Sequence, residues 1–231
     1  MSELYEAGAV EAASTLARHV AEHVESPSTD TTSFMPWLFH KCEAPEAVRV
    51  LFDRGLVDRV DVTHYRDWYS LDSILETLCE VGAIDTALVC AARIAEGVDL
   101  PPAIGLAQLL QTMTAHGLTR PRDSLVRRAA SGASLTHMNG VARLIEAFLA
   151  LGEGEAVAEL LGRDPLAQVD RSQAADACHD ALLAALHKAG SPQAHTFARW
   201  ARAAGRLGVE ELPPYGLKPD GTPAEPWPWT D

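Results

Sequence analysis

Aromatic side chains are scarce in this sequence: Phe, Trp and Tyr together supply 6% of its 231 residues. Aliphatic and alanine side chains must therefore carry most of the packing, which favours closely approached helices over a β-sandwich. Basic residues are also outnumbered, with 19 Lys and Arg against 32 Asp and Glu, a formal charge of −13. Such a surface repels polyanions, so nucleic acid and anionic lipid are disfavoured as partners. Cysteine is limited to Cys42, Cys79, Cys90 and Cys178, with no CxxC pair and no metal-knuckle spacing. A chain of this length does not need disulfides, so free thiols in a reducing cytoplasm are expected. No stretch reaches the ~18 apolar residues of a membrane span. Met1 to Glu11 is acidic and has no apolar run of the kind a secretory leader carries. These absences together describe a soluble cytoplasmic protein.

Recognisable catalytic motifs are missing as well. There is no phosphate loop of the Walker type, no dinucleotide-binding glycine pattern, no HExxH helix and no GxSxG elbow. Strand signals are equally thin, because no two-residue alternation is sustained and Asp220-Gly221 sits in a proline-rich segment instead of between strands.

What the sequence does contain is a repeat. Leu4-Tyr5-Glu6-Ala7-Gly8-Ala9-Val10 is echoed by Leu78-Cys79-Glu80-Val81-Gly82-Ala83-Ile84. Further copies begin at Met113 with Gly117, Phe148 with Gly152 and Leu186 with Gly190, and a degenerate copy begins at Leu38 with Cys42 in the glycine position. The starts are separated by roughly 34 to 40 residues, the range of helical repeats. Glycine accepts the left-handed backbone that closes a helix, so each copy can end one helix and launch the next. After Gly82, Ile84, Leu88, Ala91, Ala95 and Val98 recur at helical spacing; after Gly8, Val10, Ala13, Ala17, Val20 and Val24 do the same. The expected fold is all-α, an α-α superhelix (solenoid) of about six imperfect helix-pair repeats.

Start signals fall where this period requires them. Pro101-Pro102 precedes the helix carrying Leu106, Leu109 and Leu110; Asp170 with Gln173 resembles a capping box; Ser191-Pro192 pairs an N-cap with proline at the first helical position. Near Arg163-Asp164-Pro165 the proline should cut a helix short. Residues 25–32 are polar and hydroxyl-rich and read as a loop. Residues 1–212 form the expected helical-repeat domain. Residues 213–231 carry six prolines together with Trp227 and Trp229, and read as a packed cap more than as a free tail.

The run Leu4 to Gly8, its echo at Leu78, and the ending Tyr215-Gly216-Leu217-Lys218-Pro219-Asp220-Gly221-Thr222-Pro223 through Trp229 resemble those of uncharacterised actinobacterial helical-repeat proteins. More distantly, the period is similar to that of tetratricopeptide arrays, although the full tetratricopeptide signature is absent. The resemblance implies a helical array and carries no catalytic residue with it.

Several polar clusters invite a chemical reading. His19 and His23 lie four apart with Glu22 between them, a spacing that can direct two imidazoles at one metal ion, but polar residues beside a buried stripe produce the same pattern and no metal is expected. Asp176, Cys178, His179 and Asp180 bring together a carboxylate, a thiol and an imidazole, yet neighbouring helical residues point about 100° apart and cannot join as nucleophile and base. Arg120, Arg122, Arg127 and Arg128 form a local basic patch that reads as a solvated helix face.

Aromatic clustering is more informative for recognition. Phe34, Trp37, Phe39, Phe52, Tyr65, Trp68 and Tyr69 all fall within one short region; core packing accounts for most of them, and Tyr65, Trp68 and Tyr69 are the expected partner-binding residues. The expected function is a non-enzymatic scaffold that binds a protein or peptide, with a basic partner favoured by charge. Alternatives are an acidic inhibitory or immunity-like protein that neutralises a basic effector, an RNA-reading array, and a helical enzyme or metal protein. No cofactor is expected.

Overall fold

A computed structural model describes residues 2–24, 35, 38–39, 42–55, 68–97, 99–170 and 176–204. Among these the chain is all-helical. Its helices are α1 (Ser2–Glu6), α2 (Val10–His23), α3 (Pro45–Asp53), α4 (Trp68–Glu80), α5 (Ile84–Glu96), α6 (Ala103–Ala115), α7 (Thr119–Gly132), α8 (Met138–Leu151), α9 (Gly154–Gly162), α10 (Pro165–Gln168), α11 (Asp176–Lys188) and α12 (Gln193–Ala203).

The glycine-marked turns have one geometry throughout. Gly8, Gly82, Gly117, Gly152 and Gly190 all hold φ between 61° and 78°. At Gly82 the amide donates to the Cys79 carbonyl and the next amide, of Ala83, reaches back to Leu78. The same two bonds recur at the other four glycines, and they satisfy carbonyls that a helix end otherwise leaves without partners.

The degenerate copy differs in register from the sequence expectation. Its left-handed residue is Glu43, with φ 51°, and the closing bond runs from the Ala44 amide to Phe39, so the motif counts from Phe39 and not from Leu38. Cys42 is simply the buried residue before the turn. Glu43 also accepts a 2.9 Å hydrogen bond from the Tyr5 hydroxyl, which ties this turn to the first one. That bond, followed by the negative charge of Glu43, pushes the Tyr5 phenol up.

Burial corrects the expected apolar stripes. In α2 the buried residues are Ala13, Ala17 and Ala21, while Val10 is exposed and Val20 and Val24 are half-buried. In α5 they are Ala87, Cys90, Ala91, Ile94 and Ala95, leaving Ile84 and Leu88 exposed; Val98 lies outside the described residues. Small side chains make up most of each buried line because they let helix backbones approach closely, with Ile94 the larger aliphatic among them. α8 is the opposite case, with Val141, Leu144, Ile145 and Phe148 fully buried. Each such side chain contributes roughly 1.5–3 kcal/mol.

Contacts divide the chain into two compact units, residues 1–101 with 108–129, and residues 102–107 with 130–231. In the first unit α1 packs on α2, α2 on α3, and α4 on α5; the buried Thr112 hydroxyl donates a 2.6 Å bond to the Asp72 carboxylate. In the second, α8 packs on both α9 and α11, and α11 on α12. Gly140 of α8 faces the start of α6 so closely that a Cβ there would sit 3.0 Å from the Ile104 nitrogen and 3.1 Å from the Ala103 Cβ.

Helix starts and stops follow the sequence signals. α9 ends at Gly162 and Pro165 opens α10, as the Arg163-Asp164-Pro165 run predicts. α12 starts one residue later than expected, with Pro192 in the N-cap position and Gln193 first in the helix, although the Ser191 hydroxyl still accepts from the Gln193 amide. The capping partner of Asp170 lies outside the described residues, as do residues 25–32 and 213–231.

Candidate functional site

A second periodic feature emerges once the turns are placed. Arg54, Arg93, Arg128 and Arg163 each stand eleven residues beyond a left-handed turn residue. Arg54 donates to the Ala21 and Val24 carbonyls at the end of α2, at 2.5 and 2.9 Å. Arg128 donates to the Ala95 and Gly97 carbonyls at the end of α5. Arg163 does the same for Ala130 and Ala133 at the end of α7, at 2.9 and 2.5 Å. A cation at a helix C-terminus is favoured by the dipole as well as by the hydrogen bonds. Arg54, Arg128 and Arg163 are therefore structural clamps, each tying the end of one helix to a segment some thirty residues later.

That assignment dismantles the basic patch. Arg128 is a clamp, Arg122 pairs with Asp123 at 2.6 Å, and the Nε of Arg127 donates to the Asp123 carbonyl. Arg120 lines a groove.

The groove lies in the first unit between α5 and α7. It encloses about 440 Å³ and is lined by Leu88, Val89, Ala92, Ala95, Glu96, Arg120, Pro121 and Ser124. Its apolar wall is continuous with an exposed surface, since Ile84, Leu88 and Val89 are 43%, 38% and 53% exposed. Six and seven residues beyond the turn, where α5 has Leu88 and Val89, α2 has Ser14 and Thr15, α7 has Asp123 and Ser124, and α9 has Ala158 and Glu159. An aliphatic pair at these outward positions sets α5 apart from those three helices. The signal was present in the sequence, because α5 holds more apolar residues than one buried face can use.

Of the expected partner-binding residues, Trp68 and Tyr69 open α4, while Tyr65 lies outside the described residues. From the same aromatic cluster, Phe39 is fully buried.

The catalytic-looking cluster on α11 resolves into packing. His179 is fully buried and stacks against Phe197 and Trp200 of α12, with ring centroids 6.1 and 5.6 Å away. Cys178, the neighbouring residue, is half-exposed. The three rings form one cluster, with Phe197 and Trp200 themselves 5.6 Å apart, and adjacent helical residues such as Cys178 and His179 are set about 100° apart around the axis, which does not pair them as nucleophile and base. Burial pushes the Cys90 thiol up to about 12 and, with the Glu80 charge, raises Cys79, which disfavours the thiolate at both. All four cysteines are free.

His19, Glu22 and His23 do come together. Their ligand atoms lie within 4.8 Å of one another on the exposed face of α2, and the two imidazole centroids are 4.2 Å apart. On the last pair of helices, His187 and His195 meet edge to face at 6.4 Å; burial, and then the neighbouring imidazole, push His187 down.

No protein-family model matches the chain, and no curated protein shows detectable sequence similarity to it. Among the described residues no helix is long and apolar enough to cross a membrane.

Proposed function

We propose that the chain is a non-enzymatic cytoplasmic scaffold, an irregular α-solenoid of six helix-pair repeats that binds a basic protein or peptide segment bearing an aliphatic anchor. The observation that carries this reading is the groove between α5 and α7, where Leu88 and Val89 stand at outward positions that are polar or small in α2, α7 and α9. Burying such a pair against a partner is favourable by roughly 25 cal/mol per Å² of apolar area, before the costs of association. The formal charge of −13 and Glu96 on the groove wall favour a basic occupant. Recurrent turns and arginine clamps support the array, and Tyr65, Trp68 and Tyr69 are further aromatic anchors in this reading.

The test is affinity capture from the native cell with mass spectrometry, repeated with Val89→Asp and with Trp68→Ala/Tyr69→Ala after circular dichroism has shown each variant folded. A partner held by the wild type, weakened by salt and lost with Val89→Asp supports the groove. Undiminished capture by Val89→Asp removes it, and undiminished capture by the double variant removes the aromatic anchors.

The same net charge favours one other reading, an acidic inhibitor that neutralises a basic effector. It requires the captured partner to be an effector whose activity falls on addition of the chain, with affinity dropping steeply as salt rises.

A further inference from the structure

Of the polar clusters on the molecule, the one on α2 has the orientation a metal site needs. His19, Glu22 and His23 stand at i, i+3 and i+4, which places all three on one strip of helix surface. The decisive detail is the His23 ring. Its Nδ1 lies 2.8 Å from the His19 carbonyl oxygen, and a carbonyl can only accept, so Nδ1 carries the proton. In the neutral ring this leaves Nε2 with its lone pair directed away from the backbone, the arrangement found when a histidine ligates a metal through Nε2 and is held by a backbone carbonyl through Nδ1.

Position adds a second argument. His19 stands eleven residues beyond Gly8, the offset at which Arg54, Arg128 and Arg163 clamp helix ends. In α2 that position instead carries an imidazole whose ring stacks on His23 within the same helix.

We infer that His19, Glu22 and His23 form a surface site for a divalent transition metal ion, with Zn²⁺ the fitting occupant. Two imidazole nitrogens and one carboxylate are a common zinc donor set, and a water or a donor from another molecule completes the tetrahedron. Zinc-ligand bonds of about 2.0–2.2 Å need donors roughly 3.4 Å apart in a tetrahedral site. Donors already within 4.8 Å reach that separation by rotation of exposed side chains, without moving the backbone. The proposal is independent of the groove on α5 and α7.

The test is titration of the full-length chain with Zn²⁺ against a chromophoric chelator, with Co²⁺ absorption as a second readout of tetrahedral coordination. The wild type takes up one equivalent at micromolar free zinc and shows visible Co²⁺ bands. In His19→Gln/His23→Gln that equivalent and those bands are lost, and Glu22→Gln weakens binding by ~10-fold, at the low end of the loss caused by disturbing a ligand shell. Because the chain has other histidines, His187→Gln/His195→Gln serves as the control and keeps full uptake. All substituted ligands are exposed, so folding is preserved and is checked by circular dichroism. Equal uptake by the wild type and His19→Gln/His23→Gln, or no stoichiometric uptake by the wild type, overturns the site.

Discussion

α2 and α5 occupy the same place in their helix pairs, each launched by a glycine at positive φ and each buried along a line of small residues. Both have their terminal carbonyls bound by a later arginine, Arg54 just past α3 for α2 and Arg128 of α7 for α5. Their outer faces nevertheless diverge. Beyond the turn, α2 shows Ser14 and Thr15 and further along an imidazole pair with a carboxylate, whereas α5 shows Leu88 and Val89 beside a groove. Folding requirements are met by the shared frame of turn, alanine stripe and clamp. The positions six and seven residues beyond the turn differ between α2 and α5, although at the same offset α12 buries Phe197.

The frame can be broken at its strongest joint. Arg128→Ala leaves the Ala95 and Gly97 carbonyls without their cationic donor and should cost about 1.5–3 kcal/mol in denaturant unfolding, the range for hydrogen bonds to charged groups. Arg122→Ala, in a more exposed pair with Asp123, should cost less than about 0.5 kcal/mol. Equal losses would mean that the clamps are ordinary surface charges.

Close helix approach comes next. Gly140→Ala places a methyl against the Ile104 nitrogen and the Ala103 Cβ, which belong to a helix start and cannot swing aside. Strain of this kind costs typically 1–3 kcal/mol, and a loss of about 1–2 kcal/mol is expected.

The turns sharpen the comparison further, because opposite substitutions should have opposite signs. Gly82→Ala meets open space, with only the Arg49 guanidinium as near as 3.9 Å, so its cost is the left-handed backbone alone, about 1 kcal/mol. Glu43→Gly relieves the same strain where the frame lacks its glycine and should stabilise by up to about 1 kcal/mol, less the exposed Tyr5 bond. Thermal melting of both variants reads the pair.

The smallest effect is on pH dependence. The His187 imidazole has a folded pKa below its ordinary value, so on acidification the unfolded chain takes up the proton first. Its contribution is neutral at high pH and becomes destabilising as pH falls through the ordinary imidazole range toward the folded value. His187→Gln should flatten the slope of stability against pH in that window, and an unchanged slope would contradict the lowered value.

Much of this frame was legible in the sequence, because a glycine at positive φ is a local demand that a short motif can state. Phe39 to Glu43 escaped correct registration because no glycine marks the turn, and the apolar pattern permits a one-residue slip. The arginine clamps are also written in the sequence at a fixed offset, but their function depends on carbonyls thirty or so residues earlier, and scattered arginines otherwise read as solvated charge. Helical spacing put Leu88 on the same face as Ala91 and Ala95 without saying where the buried arc ends. At His19 and His23 the spacing was visible, while the proton on Nδ1 follows only from the position of a carbonyl.

In the proposed function, Leu88 and Val89 make α5 the binding helix. Val89→Asp and Thr15→Asp make the same change at the same exposed position of α5 and α2. Affinity of both variants for the captured partner, measured by calorimetry on folded protein, is the most direct test. Loss of binding in Val89→Asp with near wild-type binding in Thr15→Asp is expected; equal affinities for the two would contradict α5 as the binding helix.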